Sequence, residues 1–119
     1  MQNFSYIIGD EKSKIAAVVD PGWQVNKILE IAEKHKLNIK MILMTHTHHD
    51  HANGVKSIAD ATDATVYVHK EEINEIKKLG IDKIKAIKDN DEIKIGKIKI
   101  KVIHTPGHTP GSVCFLINN

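Results

Sequence analysis

"MILMTHTHHDHANG", residues 41–54, places four histidines and Asp50 within residues 46–51, directly behind an apolar run. Imidazole fills a core poorly and is an awkward choice for a plain turn, so this density asks for a chemical reason. "KMILMTH" (40–46) reads as a buried strand, and beyond His51 the residues Val55, Ile58 and Ala59 recur at helical spacing. The cluster therefore sits on a loop between a strand and a helix. On an extended backbone, residues two apart point the same way, so His46 and His48 can converge on one metal ion. The following bend into a helix lets Asp50 and His51 face a neighbouring position. Imidazole suits zinc and other first-row metals, and a carboxylate hardens a site and can orient a bound hydroxide. A third imidazole would complete a tripod with an open position for water, and His108, set between Pro-Gly turns in "HTPGHTPGS" (104–112), is the leading candidate.

Outward from this loop the chain alternates between strands and helices. "NFSYII" (3–8) and "KIAAVVD" (14–20) flank a polar turn and read as a hairpin ending in the loop "DPG". Val25, Ile28, Leu29 and Ala32 predict an amphipathic helix over 24–36. "TVYVH" (65–69) is a short strand. Ile73, Ile76 and Leu79 give a weaker helix over 70–79, and a strand follows around 84–87. "EIKIGKIKIKVIHT" (92–105) alternates isoleucine or valine with lysine across a "GK" turn, a hairpin with one apolar and one wet face. "SVCFLI" (112–117) is a last strand. The pattern is that of an α/β layered domain without repeats or linkers.

At 119 residues, 41% hydrophobic and 27% charged, the chain fits one soluble globular unit. A net charge of +2 shows no commitment to nucleic acid or to an anionic membrane. All 17 basic residues are lysine, so no guanidinium fork is present for bidentate phosphate recognition. The lysine-lined face of the hairpin reads as solvated. No apolar run approaches a membrane span, and "MQNFSYIIGD" (1–10) lacks the form of a secretory signal; a cytoplasmic location is expected. Cys114, the single cysteine, reads as a small buried hydrophobe. Met41, Met44, Tyr67 and Trp23 read as packing residues, and Gly54, Gly107 and Gly111 as turn formers. His35 and His69 are expected to be structural and His104 to be structural or to support the ligands, with His49 pointing away from the first metal.

"THTHHDH" (45–51) resembles the HxHxDH signature of the metallo-β-lactamase fold hydrolases, and "HTPGHTPGS" resembles their next motif, especially in the glyoxalase II-like thioesterase branch. "NFSYIIGDEKSKIAAVVDPG" (3–22) is similar to the opening hairpin of that branch, so the resemblance covers nearly the whole chain. It implies His46, His48 and His108 on a first metal, Asp50 and His51 on a second, and Asp50 as the residue that orients the bridging hydroxide. Histidine instead of glutamate at position 48 favours zinc hydrolases over the diiron relatives. One or two zinc ions are implied, with iron or manganese as alternatives.

The family's fold is a four-layered αββα sandwich. This chain is expected to supply one half of it over residues 1–119, with mixed or mostly antiparallel sheets and helices on one face, truncated before the aspartate that bridges the metals. The implied function is zinc-dependent hydrolysis, a metal-bound hydroxide attacking a thioester or related small acyl substrate. The alternative is a half-fold metal-binding module with little or no catalysis. Leaving the apolar sheet face open would expose a large patch, so a second copy of the chain or a complementary fragment is expected to cover it.

Overall fold

The computed structural model describes residues 6–22, 25–45, 52–105 and 113–118. Strands β1 (Tyr6–Gly9) and β2 (Ile15–Val19) form the opening hairpin, followed by helix α1 (Val25–Lys34) and β3 (Asn38–Leu43). Helix α2 (Ala52–Thr62) leads to β4 (Thr65–His69), a 3-10 turn (Lys70–Glu72), helix α3 (Ile73–Lys77) and β5 (Ile84–Ile87). Strands β6 (Glu92–Ile95), β7 (Ile98–His104) and β8 (Val113–Asn118) complete the order.

Two sheets result, one of five strands in the order β1-β2-β3-β4-β5 and one of three in the order β6-β7-β8. In the first, β1 pairs antiparallel with β2, and β2, β3, β4 and β5 run parallel. The second sheet is antiparallel throughout. Each parallel step advances one strand in the same direction, and right-handed crossovers then place every connecting helix on one face. The opposite face is left for the second sheet.

The side chains follow this layering. Ala16 and Val18 of β2 face the helices with Ile28, Ala32, Val55, Ile58, Val66, Val68 and Ile76. Ala17 and Val19 face the second sheet with Leu43, Ile93, Ile95, Ile100, Val102 and Val113. The mixed sheets and one-sided helices expected from the sequence are present. On the face expected to need a second copy or fragment, Ala17, Val19, Leu43 and Ile87 pack against the chain's own second sheet. Large exposed hydrophobics lie mainly on the outermost strands: Tyr6 on β1, and Leu116 and Ile117 on β8, at 59%, 51% and 48% exposure.

Two local features depart from simple alternation. Ala16 pairs with Ile39 but Ala17 with Met41, so Lys40 is an extra residue in β3. This bulge rephases the strand and lets Ile39 and Ile42, three apart, share the helix-facing core. Helix α1 closes with Lys36 at φ 56°, its amide donating to the Glu33 carbonyl and the Leu37 amide to that of Ala32. That is a Schellman closure made without glycine. Cys114 is exposed, not buried as the apolar run suggested: strand alternation buries Val113 and turns Cys114 outward opposite Ile103.

Candidate metal centre

The expected ligands His46, His48, Asp50, His51 and His108 lie outside the described residues, as do His49, Gly107, Gly111 and Trp23. Among the described residues, no group of three or more His, Cys, Asp or Glu is placed to hold a metal ion. What the structure describes is the frame that carries the two histidine segments. Residues 46–51 join β3 to α2 in the sequence, and β3 ends at the carboxyl edge of the parallel strands, the side on which ligands bind in open α/β sheets. Residues 106–112 lie between β7 and β8 of the other sheet.

The end of β3 is held from three sides. From β2, the Asp20 carboxylate accepts from the Thr45 amide at 2.8 Å and from the Thr45 hydroxyl at 2.6 Å. The Asp20 amide in turn donates to the Leu43 carbonyl. From β4, the Tyr67 carbonyl accepts from the Met44 amide at 3.0 Å. From the second sheet, the Val113 amide donates to the Thr45 carbonyl at 2.8 Å. Thr45 immediately precedes His46, and Val113 closes the segment that contains His108. One backbone hydrogen bond therefore ties the bases of both histidine segments, although they arise from different sheets.

The far side of the first segment is fixed by close packing. A Cβ added at Gly54, in the first turn of α2, would lie 2.1 Å from the Gly22 carbonyl oxygen and 2.8 Å from that of Pro21. Gly54 was expected to form a turn; it lies within the helix and allows α2 to rest directly on the loop after β2. Asp20 begins that loop at φ 46°, a left-handed conformation that aspartate tolerates better than most residues.

The loop between β7 and β8 is braced at its other root. His104 and Val113 are opposite each other as the last pair of the two strands. The Asp89 carboxylate accepts from the His104 amide at 2.8 Å. The His104 ring stacks on His69, centroids 4.2 Å apart and planes 17° from parallel. His69 ends β4, is 3% exposed, and its Nδ1 accepts from the Glu71 amide at 3.1 Å, capping the 3-10 turn. A neutral ring accepting at Nδ1 carries its proton on Nε2. Burial, and secondarily the charge His104 would carry, hold the His69 pKa below its ordinary value. His69 was expected to be structural and is buried accordingly; His104, expected to be structural or to support the ligands, stacks on it.

The sequence reading overlooked Asp20, Thr45 and the partnership of His69 with His104. The available signal was positional, since Asp20, Thr45, His69 and His104 all stand where a predicted strand ends. A groove of about 730 Å³ adjoins this end of the molecule, lined by Ile7, Ile8, Val19, Val113 and Phe115 and reaching Thr45 and Thr105.

The roots of the two histidine-bearing segments thus meet between the two sheets of a layered α/β unit. The model of the Metallo-beta-lactamase superfamily matches residues 1–119, and the chain belongs to that superfamily. It is 34% identical over 116 residues to a probable polyketide biosynthesis zinc-dependent hydrolase of Bacillus subtilis, covering 98% of this chain and 51% of that protein. It is 38% identical over 123 residues to the cytoplasmic hydroxyacylglutathione hydrolase of Arabidopsis thaliana, covering 98% of this chain and 43% of that one. Among solved structures, a metallo-beta-lactamase from Staphylococcus aureus superposes with a TM-score of 0.83 at 35% identity, over 96% of this chain and 34% of that one. The chain thus spans about half the length of the curated relatives it matches. No helix among the described residues is long and apolar enough to cross a membrane.

Proposed function

We propose that the chain carries the first metal site of a zinc-dependent hydrolase acting on a thioester or related acyl substrate. The observation that carries this reading is the 2.8 Å bond from the Val113 amide to the Thr45 carbonyl, because it holds the roots of both histidine segments together. The donor set fits zinc: His46, His48 and His108 supply imidazoles for one ion, and Asp50 with His51 supplies a mixed pair for a second. When bound, zinc supplies a Lewis acid that lowers the pKa of water and polarises an acyl carbonyl. Asp50 is the carboxylate that orients the attacking water. The groove running from Thr45 and Thr105 along Ile7, Ile8 and Phe115 offers an apolar wall for the acyl portion. The zinc-dependent hydrolase and hydroxyacylglutathione hydrolase names of the relatives support the same reaction class.

Metal analysis with a thioester hydrolysis assay tests this. The expected result is at least one zinc per chain, lost in His48→Ala and His108→Ala, with hydrolysis above both variants. Failure of the unaltered chain to retain zinc sinks the reading. Zinc retention with hydrolysis no faster than the variants instead supports a metal-binding half-fold. That second reading is favoured by one specific observation, the exposed Tyr6, Leu116 and Ile117 on the outermost strands, where a second copy or a complementary fragment would pack. Sedimentation at micromolar concentration checks it, and a stable folded monomer speaks against it.

A further inference from the structure

We infer that His69 and His104 act together as a positioning pair for the metal centre, and that the aromatic stack is the feature that matters. The inference rests on the metal-site reading above. His69 belongs to the five-stranded sheet and His104 to the three-stranded one, and the two rings meet at 4.2 Å. From His104 the connection continues through its strand partner Val113 to the Thr45 carbonyl, and from Thr45 to Asp20. A lateral chain of contacts thus crosses the ends of β4, β7, β8, β3 and β2, and both histidine segments spring from it. Every other link is a backbone hydrogen bond, a strand pairing or a carboxylate contact. The stack is the one link in this chain made by two side-chain rings, and it spans the two sheets where the loop carrying His108 begins.

Nothing about capping a 3-10 turn requires a ring. An asparagine at position 69 could accept from the Glu71 amide as His69 does. A ring is required only if the stack is what holds His104, and through it the loop. Supporting residues that orient metal ligands typically change metal affinity about 10–100-fold when lost.

Two variants of the full chain separate the roles. His69→Asn keeps an acceptor for Glu71 and removes the ring; His69→Phe keeps a ring and removes the acceptor. Each is measured for cobalt affinity, from the visible spectrum of the bound ion, and for exchange of the Val113 amide in the metal-free chain. The Asn38 amide, bonded to the Lys14 carbonyl at the other end of the sheet, serves as the internal reference.

The expected result for His69→Asn is cobalt affinity weakened about 10–100-fold and Val113 exchange accelerated about tenfold relative to Asn38. His69→Phe is expected to stay within about threefold of the unaltered chain on both measures. Equal behaviour of the two variants, or a loss confined to His69→Phe, overturns the inference. If the unaltered chain takes up no cobalt, the metal-site reading fails on its own. Exchange at Val113 then still decides whether the ring positions the loop.

Discussion

Replacing Gly54 with alanine offers a test whose sign is decided by the structure. In an ordinary helix, Gly→Ala raises stability by roughly 0.5–1 kcal/mol, because it lowers the entropy of the unfolded chain and improves helix propensity. At Gly54 the new methyl would meet two backbone carbonyl oxygens, at 2.1 Å and 2.8 Å, and neither can rotate away as a side chain could. Ordinary contact begins at 3.4 Å, so α2 and the loop after β2 must separate by more than 1 Å. Pro21 and Gly22 are buried, which leaves that loop little room to retreat. Overpacking of this kind costs about 1–3 kcal/mol. It overrides the propensity gain, and a fall in Tm of several degrees is expected for a domain of this size. Thermal unfolding followed by circular dichroism measures it. Because α2 starts where the 46–51 segment ends, zinc affinity is expected to fall as well. A Tm equal to or above that of the unaltered chain would refute the reasoning, since it would mean that α2 does not rest on the Pro21–Gly22 carbonyls.

Asp20→Ala removes two hydrogen bonds to Thr45 and is expected to cost about 2–3 kcal/mol in urea unfolding; Asp20→Asn keeps an acceptor and tolerates φ 46°, so its cost is smaller. Burial first, and then the charge of His104, depress the folded pKa of His69, so the unfolded chain binds its proton more readily. The resulting stability is fully present above the unfolded value of about 6.5 and is lost as pH falls through the folded value, with a slope of at most about 1.4 kcal/mol per pH unit. Urea unfolding between pH 5 and 7.5 should show this decline, and His69→Asn should remove His69's share of it. Ile58→Ala, at a fully buried site between α2 and the sheet, is expected to cost about 2–5 kcal/mol, against about 0.5–1.5 for Ile58→Val, by the same unfolding assay.

Much of the fold was legible in the residues because hydrophobic periodicity encodes it directly. The β6–β7 hairpin was readable from isoleucines alternating with lysines, and α1 from Val25, Ile28, Leu29 and Ala32. The bulge at Lys40 was not, because one extra residue inside an apolar run leaves no mark on composition; only the pairing of Ala16 with Ile39 and Ala17 with Met41 reveals it. Exposure of Cys114 was hidden for a related reason. In a strand on the outside of a sandwich, apolar residues occupy both faces, and alternation alone does not say which face is covered. The covering of the five-stranded sheet by the chain's own β6, β7 and β8 is a matter of long-range packing that local patterns do not carry.

For the candidate centre, the sequence displayed the proposed donors and concealed what braces the segments that carry them. His46, His48, Asp50, His51 and His108 stand out because histidine is dense around them. Asp20 and His69 do not, since a single aspartate before Pro-Gly and a single histidine after valine are unremarkable. Their roles follow from contacts over 25 residues between Asp20 and Thr45, and from a meeting of two sheets at His69 and His104.

The bond between the Val113 amide and the Thr45 carbonyl has a further consequence for how such a frame can change. It is made by main-chain atoms, so substitutions within residues 46–51 or 106–112 leave both of its partners in place. Asp20, Asp89 and His69, which brace the same roots, also lie outside those segments. The scaffold therefore separates anchorage from content: the two segments can be rewritten, or exchanged with those of another protein of the superfamily, while the spacing of their roots is preserved. New side chains can then be tried on this frame without first having to rebuild it.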